Sequence, residues 1–418
     1  MGYKFLYGLA QHFFSLIISI LSLFHTKAAK IRIGRRQSLG LLQAFRAKHP
    51  DKKIFWFHAA SVGEFEQALP VMKLLKESQP EAELVVSFFS PSGLEQKGKH
   101  PLASLSFYLP ADSAGESDAI TEALRPSALI LIKYEFWFNL LDSCSKKKIP
   151  VLSVSCILRE KQWRNPLMRW HLQHCLPLFQ QIFAQNEETT GILRNMQLNN
   201  FRLSGDTRID RVLEIREKAE EVLWLKDWKQ QDKLLVIGSA WPEDLDFLRE
   251  FIRNNSGEPE AFWRILIVPH EVDEDSLQKL DYVLGMPAPR LSQIRKEDNN
   301  RILVLDATGM LSHCYRHADA AWIGGAFRSG LHNILEAAVF GIPVAFGPEY
   351  AKFQEAGDLI AAGVAASFPA AGSVQGYLGR QTSEENKASL RQAAEAYFKK
   401  RKGVAAEISG YLTYLTNN

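Results

Sequence analysis

Short apolar runs alternate with amphipathic stretches along most of the chain after residue 53. Apolar runs of about four to eight residues are typical of buried strands, and an apolar period near 3.6 residues is typical of helices. Their alternation predicts βαβ units, in which helices cover both faces of a parallel sheet. The predicted strands are 54–58, 83–89, 128–132, 151–155, 234–239, 264–269, 301–306, 320–325 and 342–347. The predicted helices are 64–78, 112–124, 135–147, 243–255, 272–283, 331–339, 351–361 and 384–416.

A charged stretch interrupts this alternation near the middle of the chain and predicts a linker between two domains. We therefore expect an α/β protein with two Rossmann-like, doubly wound domains that face a cleft. Ligands of such sheets bind outside the carboxyl ends of the strands, so motifs that directly follow strands are the candidates for chemistry. The predicted segments are an N-terminal helix at 1–26, a first domain at 27–206, a linker at 207–232, a second domain at 233–383 and C-terminal helices at 384–418.

The N-terminal segment has the properties of a membrane anchor. Residues 5–24 contain no charge, and a helix of that length would be about 30 Å long, enough to cross a hydrocarbon core. Residues 1–53 hold ten Lys and Arg against the single acid Asp51, with a basic collar at 27–53, although the whole chain carries only +3. This pattern predicts attachment to an anionic membrane surface with the remaining chain in the cytoplasm. A spanning helix and an interfacial one both remain open, and a cleaved signal peptide or an internal core helix are the alternatives.

Composition excludes several classes of protein. Among 418 residues, 46% are hydrophobic and 23% are charged, which is ordinary for a globular protein and unlike a disordered chain, a collagen or a polytopic membrane protein. Four cysteines without a CxxC pair or a Cys/His cluster predict reduced core thiols and neither a disulfide scaffold nor a zinc site.

Two motifs place a carboxylate directly after a predicted strand. In HAASVGEFEQA (58–68), Glu64 falls in the first turn of a helix, where it could accept a proton from an attacking hydroxyl or only complement the helix dipole. In KYEFWFN (133–139), Glu135 could position a proton or a sugar hydroxyl, or be an ordinary acid at a helix start. The sequence leaves both alternatives open.

Three further motifs could contact an anionic ligand. In SGDTRID (204–210), Arg208 could meet an anionic substrate or leaving group, or be an ordinary surface arginine. GSAWPED (238–244) is a glycine turn between a strand and a helix. In VPHE (268–271), His270 could contact a base or a phosphate, although a lone histidine after a strand is weak evidence.

The segment GGAFRSGLHNILEAAVFGIPVAFGP (324–348) gives the strongest signal. A glycine loop after a strand, followed by a helix that starts near His332 and Asn333, would form a phosphate cradle, and Glu336 on the same face could bind ribose hydroxyls. The chain lacks a GxGxxG fingerprint, a Walker lysine, an H-E-x-x-H motif and a GxSxG elbow. These features favour glycosyl transfer from a nucleotide sugar to a lipid, without naming the sugar.

Four of these motifs in this order resemble the bacterial 3-deoxy-D-manno-octulosonic acid (Kdo) transferases, which modify the lipid A precursor. They are HAASVGE, the E-x-W-x-N core of 133–139, G-D-x-R-x-D at 205–210 and H-N-x-x-E at 332–336. That family is similar to other GT-B glycosyltransferases, which invert the anomeric carbon without a metal. The resemblance implies that CMP-Kdo is the donor, that no cofactor is needed, and that lipopolysaccharide synthesis proceeds at the cytoplasmic face of the inner membrane. Its partners would be the lipid A precursor and the anionic membrane surface, with no nucleic acid.

The resemblance also implies roles for individual residues. Glu64 would be the general base for the glucosamine 6′-hydroxyl of the acceptor, and Glu135 and Arg208 would stabilise the transition state. The family pattern has proline at Phe138, arginine at His270 and often lysine at Arg208. Another membrane-associated GT-B transferase with a UDP- or GDP-sugar donor is the alternative function, and a non-catalytic lipid- or nucleic-acid-binding protein is a third hypothesis. The residues that would contact CMP-Kdo are Ser239, Pro269, His270, Gly309, Met310, Leu311, Asn333, Ile334, Leu335 and Glu336.

Overall fold

The computed structural model describes residues 2–255, 263–294, 300–327 and 330–417, which form two compact units. Unit 1 comprises Met1–Arg211 and Gly403–Asn418, and unit 2 comprises Val212–Lys402. Within the described residues each unit contains one sheet, and all strand pairings between neighbouring strands are parallel. The predicted two-domain α/β fold is therefore confirmed.

Unit 1 is built on a seven-stranded sheet among the described residues. Its strands are β1 Ile54–Ala59, β2 Glu83–Phe88, β3 Leu105–Tyr108, β4 Ala128–Ile132, β5 Val151–Cys156, β6 Gln181–Ala184 and β7 Phe201–Leu203. Its helices are α1 Gly2–Leu21, α2 Thr26–Lys48, α3 Val62–Ser78, α4 Pro91–Lys97, α5 Ala114–Leu124, α6 Phe138–Lys146, α7 Glu160–Arg164, α8 Pro166–Cys175, α9 Glu187–Asn195 and, after the chain returns, α20 Val404–Asn417. Helix α10 (Arg208–Lys218) runs across the boundary between the two units.

The strand order of unit 1 is β3-β2-β1-β4-β5-β6-β7. Strands β1, β4 and β5 are buried along their whole length, because helices cover both faces of the sheet. One core includes Phe57, Ile130 and, from α20, Ile408. The order reverses between β1 and β4, and a parallel sheet with such a reversal leaves a crevice at the carboxyl ends of those two strands.

Unit 2 is built on a six-stranded sheet among the described residues, in the order β10-β9-β8-β11-β12-β13. Its reversal point lies between β8 and β11. Its strands are β8 Lys233–Ala240, β9 Trp263–Pro269, β10 Ile302–Val304, β11 Ala320–Ile323, β12 Val344–Phe346 and β13 Ala365–Ser367. Its helices are α11 Leu223–Lys229, α12 Pro242–Phe247, α13 Arg249–Asn254, α14 Glu274–Leu284, α15 Leu311–Cys314, α16 Leu335–Ala338, α17 Gln354–Ala361, α18 Val374–Gln381 and α19 Glu384–Arg401.

The N-terminal helix α1 is apolar and long enough to cross a membrane by length and composition, and the most apolar window of the helix has no buried residue. Its first two turns nevertheless pack on unit 1. Tyr3 is buried, and the Tyr7 hydroxyl donates a hydrogen bond to Asp112 Oδ2 at 2.6 Å. Further along, the ring of Phe14 stacks on that of Phe89 with centroids 6.4 Å apart. The large apolar side chains left exposed on α1 include Phe5, Leu6, Leu9, Phe13, Leu16 and Ile20.

The structure differs from the predicted elements in several places. The sequence pattern does not predict the short strands β3, β6, β7 and β13, whereas β10 and β12, with three residues each, are predicted because they lie within longer apolar runs. The predicted helix 243–255 is divided into α12 and α13, which meet at Leu248. The predicted linker 207–232 contains the whole of α10 and the whole of α11, and residues 403–418 belong to unit 1.

The predicted helix 331–339 is wrong in length, because α16 covers only Leu335–Ala338. The Asn333 side chain accepts the Leu335 N–H at 3.3 Å, which delays the start of the helix. Gly341, with φ of +69°, follows its last turn. Residues 328 and 329 of the predicted glycine loop lie outside the described residues.

Candidate active site

The carboxyl ends of β1 and β4 bring a histidine and a carboxylate together in unit 1. His58, fully buried in β1, lies opposite Ser87 of β2 and beside β4. Its Nδ1 is 2.9 Å from Ser87 Oγ, and its Nε2 is 3.2 Å from Glu135 Oε2. The Trp137 indole N–H also donates to Glu135 Oε2. Glu135 is thereby held at the reversal point of the sheet.

Glu64 reaches the same place from the start of α3. Ser61 begins that helix with a capping box, in which the Ser61 N–H donates to Glu64 Oε2 at 3.1 Å and the Glu64 N–H donates to Ser61 Oγ at 3.4 Å. Glu64 is therefore an acid of the first helical turn, as one of the two alternatives predicts. The side chain is also 9% exposed and close enough to Glu135 for the two charges to interact, which a cap does not require.

The surroundings of Glu64 make its carboxyl group a weak acid. Burial, followed by the negative charge of Glu135, raises its pKa to about 7, although His58 and Lys133 act in the opposite direction. A carboxylate with a pKa near neutrality can take up a proton and release it again at the pH of a cell. Lys133, directly after β4, has a left-handed backbone φ of +65°, which residues other than glycine rarely adopt.

Arg208 lies on the same edge of the sheet and forms an ion pair. Its guanidinium Nη2 is 2.6 Å from Asp206 Oδ2, and its side chain is 15% exposed. Asp206 accepts a hydrogen bond at 2.9 Å from Gln67, which follows Glu64 by three residues on α3. Thr207 is tied to the end of β5 by the 3.2 Å hydrogen bond from its N–H to Ser155 Oγ. Glu64, Glu135 and Arg208 thus all belong to the carboxyl edge of unit 1.

Three aromatic rings meet at the carboxyl edge of unit 2. His270 follows β9, and its ring lies 4.6 Å from that of Trp241 and 4.5 Å from that of His332, between centroids. The Trp241 indole N–H donates to His332 Nε2 at 3.0 Å. Burial lowers the pKa of His270, and burial together with His270 lowers the pKa of His332 to about 4. Both imidazoles are therefore neutral near pH 7, and the three rings form an uncharged aromatic cluster.

A buried carboxylate holds the loops around this cluster in place. Asp244 Oδ2 accepts the N–H groups of Trp241 at 3.0 Å and Gly325 at 3.1 Å, and Oδ1 accepts the indole N–H of Trp322 at 3.1 Å. A side chain at Gly324 would approach the carbonyl oxygen of Ser239 to 2.3 Å, so only glycine permits this contact. Ser239 itself has φ of +51° at an irregularity in the pairing of β8.

The remaining predicted donor residues surround the same edge. Gly309, with φ of +84°, precedes Met310 and Leu311, and Leu311 Cδ1 would lie 3.1 Å from a side chain at Gly238 in β8. The Asn333 amide donates to Glu336 Oε1 at 2.9 Å. Pro269 lines a cavity of about 140 Å³, together with Ala240, Trp241, Pro242, Glu243, His270, Glu271, Ser276, Lys279 and Leu280.

Sequence reasoning missed four residues of these two clusters. His58 and Asp244 lie inside motifs that the sequence analysis selects, but no adjacent residue marks either of them as functional. Trp241 could have been noticed as a large aromatic residue in a glycine turn. Lys133 gives no sequence signal, because its importance rests on its distance from Glu64.

Comparisons with known proteins agree with the motifs. The family model described as 3-Deoxy-D-manno-octulosonic-acid transferase (kdotransferase) matches residues 32–211, which include Glu64, Glu135 and Arg208. The 3-deoxy-D-manno-octulosonic acid transferase of Chlamydophila psittaci is 25% identical over 311 residues, 71% of this chain and 69% of that protein. The enzyme of the same name from Rickettsia bellii is 26% identical over 334 residues, 77% of this chain and 76% of that protein. The predicted resemblance is confirmed.

Two solved structures share the fold. The UDP-GlcNAc 2-epimerase from Methanocaldococcus jannaschii has a TM-score of 0.55 at 14% identity and covers 87% of this chain and 99% of its own. A glycosyltransferase from Rickettsia africae has a TM-score of 0.56 at 10% identity and covers 88% of this chain and 100% of its own. At these identities the likeness concerns the fold alone.

Proposed function

We propose that this chain, a glycosyltransferase related to the Kdo transferases, transfers Kdo from CMP-Kdo to the 6′-hydroxyl of a lipid A precursor. The observation that carries this proposal is the buried Glu64 carboxylate beside Glu135 and His58, inside the region that the family model matches. A protein that only bound lipid would have no need for a carboxylate whose pKa lies near neutrality.

In the proposed reaction Glu64 acts as the general base. Its carboxylate takes the proton from the acceptor hydroxyl while the oxygen forms a bond to the anomeric carbon of Kdo. The bond from that carbon to the phosphate of CMP breaks, so CMP leaves with the electron pair and the configuration inverts. Glu135, held by His58 and Trp137, keeps the pKa of Glu64 high and can position the acceptor.

Arg208 is a cation on the carboxyl edge of unit 1, and a cation there can stabilise negative charge on a substrate. Its pairing with Asp206 fixes the position of the guanidinium on that edge. We propose that it stabilises charge that develops as the glycosidic bond forms.

We propose that unit 2 binds the donor. The neutral aromatic cluster of Trp241, His270 and His332 offers rings that can stack against a pyrimidine base. Asn333 and Glu336 offer an amide and a carboxylate for ribose hydroxyls. Since His270 is neutral, it would contact the phosphate without a charge, and backbone N–H groups of the glycine turns are further donors for that phosphate.

We propose that α1 lies in the membrane interface and does not span the bilayer. Tyr3 and Phe14 both contact unit 1 and are eleven residues apart, so about 16 Å of the helix follows the protein surface. Phe89, on which Phe14 stacks, also stacks on Trp137 at 5.9 Å, next to Glu135. An inner-membrane surface at α1 would therefore bring a lipid acceptor close to the candidate base on the cytoplasmic face.

The resemblance implies transfer without a metal or cofactor, and we extend this to the chain as a proposal. Adding EDTA to the purified enzyme should then leave the rate unchanged. A rate that EDTA abolishes and that Mg²⁺ restores would reject this part.

The whole proposal is tested by incubating detergent-purified protein with CMP-Kdo, generated in situ, and a tetra-acylated lipid A precursor. Mass spectrometry should show a lipid heavier by Kdo, and Glu64→Gln should not produce it. No transfer by folded wild-type protein would reject the Kdo assignment. Competition distinguishes the alternative donors, because CMP should inhibit whereas UDP and GDP should not.

A further inference from the structure

The corner between α7 and α8, residues 160–169, carries exposed apolar side chains that the proposed transfer does not use. Leu167 is 76% exposed and Met168 is 37% exposed, side by side at the start of α8. Asn165 caps this helix by accepting the N–H groups of both residues at 3.0 Å, so the apolar pair is held on an ordered turn. A single exposed leucine needs no explanation, but an ordered pair at the tip of a helical corner favours a partner.

Cations and an indole surround that pair. Lys161, Arg164 and Arg169 are exposed, and they outnumber the acids at the corner, which are Glu160, paired with Arg164 at 3.1 Å, and Glu188, which accepts the Glu160 N–H at 2.7 Å. The Arg169 guanidinium lies 5.6 Å from the centroid of the Trp163 ring. An apolar tip flanked by tryptophan and by cations matches the boundary between lipid head groups and acyl chains in an anionic bilayer.

The corner is also continuous with the proposed membrane helix. The ring of Tyr3 on α1 stacks on His174 at 3.9 Å and meets Trp170 edge-on at 4.8 Å. Both partners belong to α8, and Leu167 precedes Trp170 by three residues, about 4.5 Å along the helix axis. A membrane that meets the exposed side of α1 therefore has the corner next to it.

We propose that the α7–α8 corner is a second membrane contact, in which Leu167 and Met168 enter the interface while Lys161, Arg164 and Arg169 bind anionic head groups. This rests on the proposed membrane attachment of α1. One interfacial helix leaves unit 1 able to rotate about the helix axis. A second contact beside the axis fixes the face of unit 1 that the bilayer meets.

Fluorescent labelling tests the corner in the full-length chain. All four native cysteines are buried, so a cysteine introduced at an exposed position can be labelled selectively. Met168→Cys carrying an environment-sensitive dye should show blue-shifted emission and less quenching by iodide with phosphatidylethanolamine–phosphatidylglycerol vesicles. Leu223→Cys, at an exposed leucine of unit 2, is the matched control and should not shift.

Phe13→Cys, on the exposed side of α1, separates failure of the corner from failure of attachment. A shift at Phe13 without one at Met168 would overturn the proposed corner and leave attachment in place. No shift at either position would overturn both, whatever the transfer assay shows. An equal shift at Met168 with phosphatidylcholine vesicles would overturn the role of the cations.

Placing two acidic side chains at the apolar pair gives a second measurement. The double variant Leu167→Glu/Met168→Glu should bind anionic vesicles roughly tenfold more weakly or worse, since it removes the burial of two apolar side chains. It should keep its transfer rate in detergent micelles, because that assay does not require binding to a bilayer. Unchanged vesicle binding by a variant that remains active in micelles would reject the proposal.

Discussion

The two units share one architecture, but at the point where the strand order reverses their side chains have pKa values that are shifted in opposite directions. Each has a parallel sheet whose order reverses once, between β1 and β4 in unit 1 and between β8 and β11 in unit 2. At the reversal point of unit 1 two carboxylates interact, and the pKa of Glu64 rises to about 7. At that of unit 2 the pKa of each imidazole falls, so that the ring stays neutral.

Burial explains both results, because it always disfavours the charged form of a group. For a carboxylate this creates an acceptor of protons near neutral pH, and for an imidazole it creates an uncharged ring. The same crevice can therefore serve as a site of proton transfer or as a stacking surface, depending on which side chain follows the strand. The predictions below test this division between the units.

The largest effect is expected for Glu64→Gln. Loss of a general base should lower kcat by about 10²–10⁴-fold, while the affinity of unit 2 for CMP stays unchanged. Steady-state kinetics and calorimetric titration with CMP measure the two quantities. Glu77→Gln, at an exposed position on the same helix, is the matched control and should keep the wild-type rate. A similar kcat for both variants would remove Glu64 from the mechanism.

A smaller effect, confined to unit 2, is expected for Asp244→Asn. Three N–H groups point at the Asp244 carboxylate, so the amide NH₂ of asparagine would face a donor. An unpaired buried polar group costs about 1–3 kcal/mol, so we expect the CMP dissociation constant to rise by roughly tenfold to a hundredfold. Asp246→Asn, exposed on the same helix, should bind CMP normally. Tight CMP binding by Asp244→Asn would show that these loops do not need the carboxylate.

The pH profile should move in opposite directions in two variants of unit 1. Because the proposed base is the Glu64 carboxylate, kcat should rise with pH through about 7 and then level off. Lys133→Met removes a cation that lowers the pKa of Glu64, so the rise should move to higher pH. Glu135→Gln removes an anion that raises this pKa, so the rise should move to lower pH. Parallel shifts in the two variants would contradict the assignment of this limb to Glu64.

The smallest effect on the transfer reaction is expected for Tyr7→Phe, which should change stability instead. The variant loses one hydrogen bond to the buried Asp112, which should lower the free energy of unfolding by about 1.5–3 kcal/mol in a denaturant titration. The transfer rate in detergent should change little, because Asp112 keeps its hydrogen bonds from Asn139, Leu140 and Ser117. Tyr282→Phe, at an exposed tyrosine of unit 2, should leave the unfolding free energy unchanged.

Sequence alone was sufficient for the features that depend on neighbours along the chain. The apolar runs of β1, β4 and β8 are long and uninterrupted, so their positions are predicted within one or two residues. The charge-free stretch 5–24 and the basic collar are properties of composition. Motifs directly after strands follow from the rule that parallel sheets bind ligands at their carboxyl edge, and this rule led to Glu64, Glu135 and His270 without any coordinates.

Only the tertiary structure decided the properties that depend on distance across the fold. The pKa of Glu64 rises first because folding buries its carboxyl group, and second because the loops after β1 and β4, about seventy residues apart, bring Glu135 near it. His58, Asp244 and Lys133 gain importance from the same convergence. The docking of Tyr3 on α8 is likewise invisible in the sequence, because periodicity describes which face of a helix is apolar but not what covers it. Sequence pattern is local, whereas desolvation and charge coupling act between residues that only folding makes neighbours.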